Sequence, residues 1–138
     1  MVLTKQKFRE IILQILYSQI FTVIDDDIIS FMMNEIKTTR KNVLFAREYV
    51  KKILNKIEPI DEKIKKTSKS YDFERISKIE LSILRLAIYE LENDKLPFEI
   101  TLSESLRLTK KFSGSHSINY IHAILKNIFI GKANAVEG

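Results

Sequence analysis

Glycine and proline are scarce in this chain: its 138 residues contain three glycines and two prolines. All-β folds need many tight turns and α/β folds need several strand-to-helix loops, and both connections are usually built with these two residues. The scarcity therefore favours long helices joined by few turns. The hydrophobic content of 45% is ordinary for a globular protein and excludes wholesale disorder. We predict an all-α fold in a single domain.

Apolar residues recur at helical spacing along nearly the whole chain, which predicts seven helices. They are expected at about 4–22, 25–37, 42–57, 60–69, 78–93, 101–112 and 117–131, with a loop over Ser70–Phe73. The pair Glu58-Pro59 is expected to end the third helix, because the residue before a proline leaves the helical region.

Local signals mark where several of these helices begin and end. Ser77 with Glu80, and Thr101 with Glu104, have the spacing of a capping box, which opens a helix. Gly114 is expected to end the sixth helix in the left-handed conformation. The fifth helix is apolar on nearly every side, which indicates a central, buried position. Its Arg85 therefore requires a carboxylate partner, since a buried charge must be paired.

Positive and negative charges are segregated along the chain, whose net charge is +5. Residues 37–69 hold eleven Lys or Arg against four Asp or Glu, a net +7, and residues 79–104 hold six Asp or Glu against two Lys or Arg, a net −4. Such segregation is typical of a protein that meets a polyanion on one surface and a basic partner on another. Solvated helix faces would produce the same pattern, so charge alone leaves both interpretations open.

No motif for catalysis, metal binding or phosphate binding stands out. The chain has no cysteine and its glycines are isolated, which excludes a thiolate site and a Gly-rich phosphate loop. His116 and His122 are six residues apart with no carboxylate close in sequence, and Asp25-Asp26-Asp27 is interpreted as a helix start. We predict a binding module that is not an enzyme and has no cofactor or metal.

The apolar run from Phe8 onward is too short to span a bilayer, because polar and charged residues interrupt it. It is not expected to be a signal peptide either, since Gln14 breaks its apolar core and Asp25-Asp26-Asp27 stands where cleavage would occur. These features predict a cytoplasmic protein.

Three blocks of residues follow the order and spacing of a known family. They are Lys5-Gln6-Lys7-Phe8-Arg9-Glu10 with Leu16-Tyr17; Ile83-Leu84-Arg85-Leu86-Ala87 with Tyr89-Glu90-Leu91; and Leu96-Pro97-Phe98 with Lys110-Lys111-Phe112 and Tyr120-Ile121. Together they resemble the NusB family of transcription antitermination factors over essentially the whole chain, and the second block is the most specific. The resemblance implies a single NusB-like domain, 1–138, of two small packed helical lobes, about 1–57 and 58–131, with a frayed tail at 132–138.

The resemblance also implies partners and a function. Family members bind the boxA segment of ribosomal and phage leader transcripts together with NusE, a small-subunit ribosomal protein. The complex then joins RNA polymerase and suppresses termination. No small-molecule substrate and no membrane are implied.

Six residues match binding positions of the family. Those matched to RNA binding are Lys5, Lys7, Arg9 and Tyr120, and those matched to NusE binding are Tyr17 and Glu80. Asn119 and His122 lie beside Tyr120 on the last helix and are also expected to bind RNA, through hydrogen bonds to bases or phosphates. Cations at a helix start oppose the helix dipole, which favours phosphate contacts over a merely solvated turn. Tyr120 has two open interpretations, base stacking and half-buried packing. Glu80 is also the third residue of a capping box.

Several positions depart from the family pattern. Ser103-Glu104-Ser105 replaces Asn-Glu-Ala, His122-Ala123 replaces Asn-Gly, Asn119 replaces a lysine, and Gln6 dilutes the basic cluster. Since these changes fall where RNA contact is implied, we expect weaker or less selective RNA binding than is typical of the family.

Two other functions fit a helical chain of this kind. One is a NusB-like protein–protein adaptor that does not bind RNA. The other is a DNA-binding regulator in which 102–112 and 117–130 form a helix-turn-helix. The second helix of that pair carries only Lys126 as a cation before Lys132, which is poor for a major-groove reader.

Overall fold

The computed structural model describes residues 3–68 and 73–137, with residues 132–137 described by their backbone alone. Seven α-helices and no β-strand occur within these ranges, which confirms the all-α prediction. The chain divides into two compact units, Met1–Asn55 and Lys56–Gly138. The family resemblance places the boundary between its two lobes at about residue 57.

The first unit contains α1 (Lys5–Ser18), α2 (Asp26–Ile36) and α3 (Arg40–Leu54), and α3 contacts both other helices. Each helix follows a short polar residue whose side-chain oxygen accepts a hydrogen bond from a first-turn backbone N–H: Thr4, Asp25 and Thr39. These caps satisfy donors that lack a partner within the helix, so they define where each helix starts. α1 ends before the predicted boundary at 22.

The core of the first unit is formed by the apolar stripes of α1 and α3, as their spacing predicts. The apolar residues at helical spacing that are buried are Ile11, Ile12, Ile15 and Leu16 of α1 and Val43, Ala46, Val50 and Ile53 of α3. Ile57 has the same spacing in the predicted third helix, but it lies in α4 and is only half-buried. Burying each large aliphatic side chain stabilises the fold by about 1.5–3 kcal/mol. Phe8 and Ile20, predicted on the same stripe of α1, are only half-buried.

Pro59 does not end α3, contrary to the prediction. α3 ends at Leu54, and Pro59 lies in the first turn of α4, which begins at Ile57. A proline is tolerated there because the first backbone N–H groups of a helix have no intrahelical acceptor.

The second unit contains α4 (Ile57–Thr67), α5 (Lys78–Tyr89), α6 (Phe98–Phe112) and α7 (Ile118–Glu137). α5 contacts the other three helices, and every residue from 81 to 91 is buried, which confirms its predicted central position. A single π-helical turn, Glu90–Asp94, extends α5 and ends at Lys95, whose φ is 53°. The predicted loop residues Ser70–Asp72 lie outside the described residues, and Phe73 begins a short 3₁₀ turn.

Arg85 of α5 is paired with a carboxylate, as its burial predicts. Its Nε and Nη2 donate to Oδ1 and Oδ2 of Asp61 in α4, each at 2.9 Å. The two side chains are 10% and 17% exposed. This bidentate pair joins α4 to α5.

Tyr89, the last residue of α5, has a perturbed phenol. Burial raises the pKa of this phenol, with a further contribution from the Asp94 carboxylate.

The predicted start of α6 at Thr101 is wrong. α6 begins at Phe98, directly after Pro97, and the backbone N–H of Thr101 already donates to the Pro97 carbonyl. Thr101 is 1% exposed and lies inside the helix. Proline before the helix sets the start, because its fixed φ is compatible with an extended residue at the cap position.

α7 continues to Glu137, beyond the predicted end at 131. The predicted frayed tail at 132–138 therefore has a helical backbone over 132–137. Gly138 lies outside the described residues.

Gly114 separates α6 from α7 with a backbone that other residues rarely adopt. Its φ of 134° is positive, as the predicted left-handed conformation requires, but its ψ of 164° lies outside the left-handed helical region. A Cβ at this position would lie 2.9 Å from two ring atoms of His116.

Gly114→Ala is therefore expected to lower the free energy of unfolding by about 1–3 kcal/mol, through backbone strain and the steric clash. Gly131→Ala is the matched control. A Cβ at Gly131 has no neighbour within 4 Å, and alanine is the better helix former by about 1 kcal/mol. Urea unfolding of both variants measures the contrast, and equal effects would show that Gly114 is not constrained.

Candidate functional site

Two exposed lysines lie at the start of α1. Lys5 and Lys7 are exposed and Arg9 is half-buried. Neither lysine forms an ion pair within residues 3–68 and 73–131, and the first turn of α1 contains no acidic residue. Arg9, in contrast, has a contact within the protein. Cations here oppose the positive end of the helix dipole, so this cluster is suited to an external anion.

The cluster is held in place by the helix that carries it. Thr4 caps α1 through a hydrogen bond of 3.1 Å from the backbone N–H of Lys7. The next turn is anchored by Ile11 and Ile12, which are 0% and 2% exposed. The lysines therefore project from a fixed helix end.

The three candidate RNA-binding residues of α7 lie in its first turn and a half. Asn119 and His122 are exposed and three residues apart, so they share one face of the helix. Tyr120 is half-buried and makes a contact within the protein. These residues belong to the second unit, whereas the cations of α1 belong to the first.

Tyr17 lies in the last turn of α1 beside an aromatic residue that the sequence analysis did not single out. Its side chain is 37% exposed, and its ring meets that of Phe21 edge-on, with centroids 5.2 Å apart. Phe21 is 62% exposed. The four-residue spacing of Tyr17 and Phe21 is the only sequence signal for this aromatic pair. The same spacing also occurs between core residues, so it does not identify an exposed pair.

Glu80 has a structural role in the second unit. The backbone N–H of Ser77 donates to its Oε1 at 3.3 Å, and its own backbone N–H donates to Ser77 Oγ at 3.2 Å. This reciprocal pair is the predicted capping box of α5. The side chain is half-buried, so part of the carboxylate remains open to solvent.

Residues 3–68 and 73–131 contain no group of three or more His, Asp or Glu side chains arranged to hold a metal ion. In the described part of the chain, no helix has the length and apolar character needed to cross a bilayer.

Comparison with known proteins extends over nearly the whole chain. The model of the NusB family matches residues 6–129. A transcription antitermination protein NusB from Chlamydia pneumoniae is 35% identical over 127 residues, covering 91% of this chain and 79% of that protein. A protein of the same name from Clostridium botulinum strain Kyoto is 31% identical over 142 residues, covering 89% of this chain and 97% of the relative.

Two solved structures share the fold. The NusB of T. maritima is 26% identical, with a TM-score of 0.75, and covers 93% of this chain and 92% of its own. A chain in the structure "Crystal Structure of a Plectonemic RNA Supercoil" is 20% identical, with a TM-score of 0.78 and coverage of 94% and 96%. At that identity the second likeness concerns the fold alone.

Proposed function

This chain belongs to the NusB family, and we propose that it binds boxA-type single-stranded RNA together with NusE and assists antitermination by RNA polymerase on ribosomal RNA operons. It acts as a binding protein without catalysis, in the cytoplasm where transcription takes place. The observation that carries the RNA-binding part is the pair of exposed lysines, Lys5 and Lys7, at the capped start of α1.

In this proposal the RNA backbone runs past the start of α1. Lys5 and Lys7 contact phosphates, and the cation of Arg9 adds to the local positive potential. Each phosphate neutralised on a single strand contributes about 0.7 to the slope of log affinity against log salt. A flexible single strand suits such a compact cluster, because it can bend to bring successive phosphates to one helix end.

The first turns of α7 contact the RNA as a second element. Asn119 and His122 share an exposed face and offer hydrogen-bonding groups to bases or phosphates. Tyr120, which is half-buried, stacks on a base.

NusE binds to residues that include Tyr17 and Glu80. Tyr17 and Phe21 supply an exposed aromatic pair of the kind that anchors protein interfaces. Glu80 lies in the acidic stretch 79–104, whose net charge of −4 suits a basic ribosomal protein.

Glu80→Gln is expected to weaken NusE binding by up to about fivefold, the effect of one rim charge. Its free energy of unfolding should change by less than about 0.5 kcal/mol, because glutamine at this position also completes a capping box. Titration calorimetry with NusE and urea unfolding measure the two effects.

Ser77→Ala is the reciprocal control. It removes the cap and should cost about 1 kcal/mol of stability, yet it retains the Glu80 charge and so should retain NusE binding. Unchanged NusE affinity in the Glu80→Gln variant would place Glu80 outside the interface.

Transcription through a terminator tests the proposed function as a whole. Templates carry either a boxA leader or a scrambled leader upstream of the terminator, and RNA polymerase, NusE and the other Nus factors are supplied. We expect this protein to raise readthrough on the boxA template only. Equal readthrough on both templates, with and without the protein, would contradict the proposal.

A further inference from the structure

We propose that Phe8, Phe45 and Tyr49 form a platform on which bases of single-stranded RNA stack. Together these three residues are the aromatic platform. The inference rests on the proposed RNA-binding function and extends the RNA contact to α3, which carries none of the residues matched to the family. All three residues belong to the first unit.

The rings form one connected group across α1 and α3. The ring centroids of Phe8 and Phe45 are 5.5 Å apart with an interplanar angle of 46°, and those of Phe8 and Tyr49 are 6.3 Å apart at 75°. Phe8 and Tyr49 are half-buried, whereas Phe45 is 67% exposed. Phe8 thus contacts both other rings, and the Phe45 ring remains largely open to solvent.

Lysines surround the aromatic platform at one-turn spacing. Lys41 lies four residues before Phe45, Lys52 three residues after Tyr49, and Lys5 three residues before Phe8, so each lies on the same helix face as its aromatic neighbour. All three are exposed, and none forms an ion pair within residues 3–68 and 73–131. Aromatic rings interleaved with cations are the combination that single-stranded nucleic acids require.

The one carboxylate of α3 does little to oppose an approaching polyanion. α3 carries five Lys or Arg and a single acidic residue, Glu48, and one of the five, Arg40, pairs with Asp26 of α2 at 2.8 Å. Lys51 Nζ donates to Glu48 Oε1 at 3.0 Å, which offsets that negative charge. The positive charge around the aromatic platform therefore comes from the three lysines that form no ion pair, Lys5, Lys41 and Lys52.

Charge favours RNA over a protein as the occupant. The cores of protein interfaces are depleted of lysine, and a basic protein such as NusE would be repelled by α3. Phe31 of α2 provides the contrast. It is 63% exposed, nearly the same as Phe45, but the residues four positions before and after it are acidic, Asp27 and Glu35. Phe31 therefore lacks the charge environment that RNA needs.

The variants Phe45→Trp and Phe31→Trp test the proposal by fluorescence. The chain contains no tryptophan, so each variant has a single one. Phe45→Trp should bind boxA RNA with an affinity near that of the wild type, and its emission should be quenched at saturating RNA, since the indole stacks on a base. Phe31→Trp, at matched exposure, should bind equally well with unchanged emission. Both titrations are made without NusE.

Phe45→Ala provides a second readout. Loss of one stacking contact should weaken RNA binding about tenfold. The salt slope should stay as in the wild type, since no charge is removed, and circular dichroism should be unchanged because the side chain is exposed. Phe31→Ala should bind RNA as the wild type does.

The outcomes separate this inference from the function on which it rests. Wild-type protein that fails to bind boxA RNA would overturn both. Wild-type binding with unquenched Phe45→Trp emission, or with unaltered affinity of Phe45→Ala, would overturn the aromatic platform alone. Weaker NusE binding by Phe45→Ala, with RNA binding intact, would assign this surface to a protein partner and also overturn the inference.

Discussion

Asp61→Ala is expected to lower the free energy of unfolding by about 3 kcal/mol. The Asp61 carboxylate accepts two hydrogen bonds from Arg85, and the Arg85 side chain is only 10% exposed. Removing the carboxylate leaves a guanidinium charge nearly buried without its partner, which is far more costly than losing an exposed ion pair. Urea unfolding, followed by circular dichroism, measures the loss.

Glu48→Ala is the control for this prediction. It breaks the pair of Glu48 with Lys51, whose side chains are 59% and 58% exposed, and should cost no more than about 0.5 kcal/mol. The double variant Asp61→Leu with Arg85→Met removes both charges and should recover most of the stability lost in Asp61→Ala. A small effect of Asp61→Ala, similar to that of Glu48→Ala, would show that the pair is not important for stability.

Neutralising Lys5 and Lys7 is expected to have the largest effect on RNA binding. If each lysine neutralises one phosphate, the Lys5→Gln, Lys7→Gln double variant should bind boxA RNA about 25-fold more weakly at 0.1 M salt. Its salt slope should be lower by about 1.4. Both side chains are exposed, so stability should be unaffected, and NusE binding should remain. Fluorescence anisotropy at several salt concentrations measures affinity and slope together.

Lys65→Gln with Lys66→Gln is the matched control. These lysines are also exposed and lie in the last turn of α4, and the change in net charge is the same. Lys65, unlike Lys5 and Lys7, pairs with an acidic residue, Glu62, at 3.8 Å. The control should retain RNA affinity and slope. An equal loss in both double variants would indicate diffuse attraction to a basic protein, not a site at the start of α1.

Local sequence signals predict helix positions only where burial does not override them. Ser77 and Thr101 open the same capping-box pattern. Ser77 is exposed at the start of α5 and forms the box, whereas Thr101 is 1% exposed and lies inside α6, whose start is set by Pro97. Pro59 shows the same limit, because proline fits equally after one helix and in the first turn of the next.

The candidate binding residues, like the helix boundaries, are only partly predictable from the sequence. Candidate residues such as Lys5 and Tyr120 come from matching the family blocks, and their role in binding stays a prediction. Phe21 and Phe45 do not, because an aromatic residue at helical spacing has the same pattern whether it is buried or exposed. Only the structure shows that they are 62% and 67% exposed. Likewise, burial predicts that Arg85 has a carboxylate partner, but only the packing of α4 identifies it as Asp61.

A single titration measures whether this protein binds RNA selectively and whether a protein partner assists the binding. Labelled boxA RNA and a scrambled RNA of the same composition are titrated with this protein by fluorescence anisotropy, with and without NusE, at two salt concentrations. We expect tighter binding of boxA RNA, further enhanced by NusE. Equal, steeply salt-dependent binding of both RNAs, unaffected by NusE, would contradict the proposed function and leave only a basic surface.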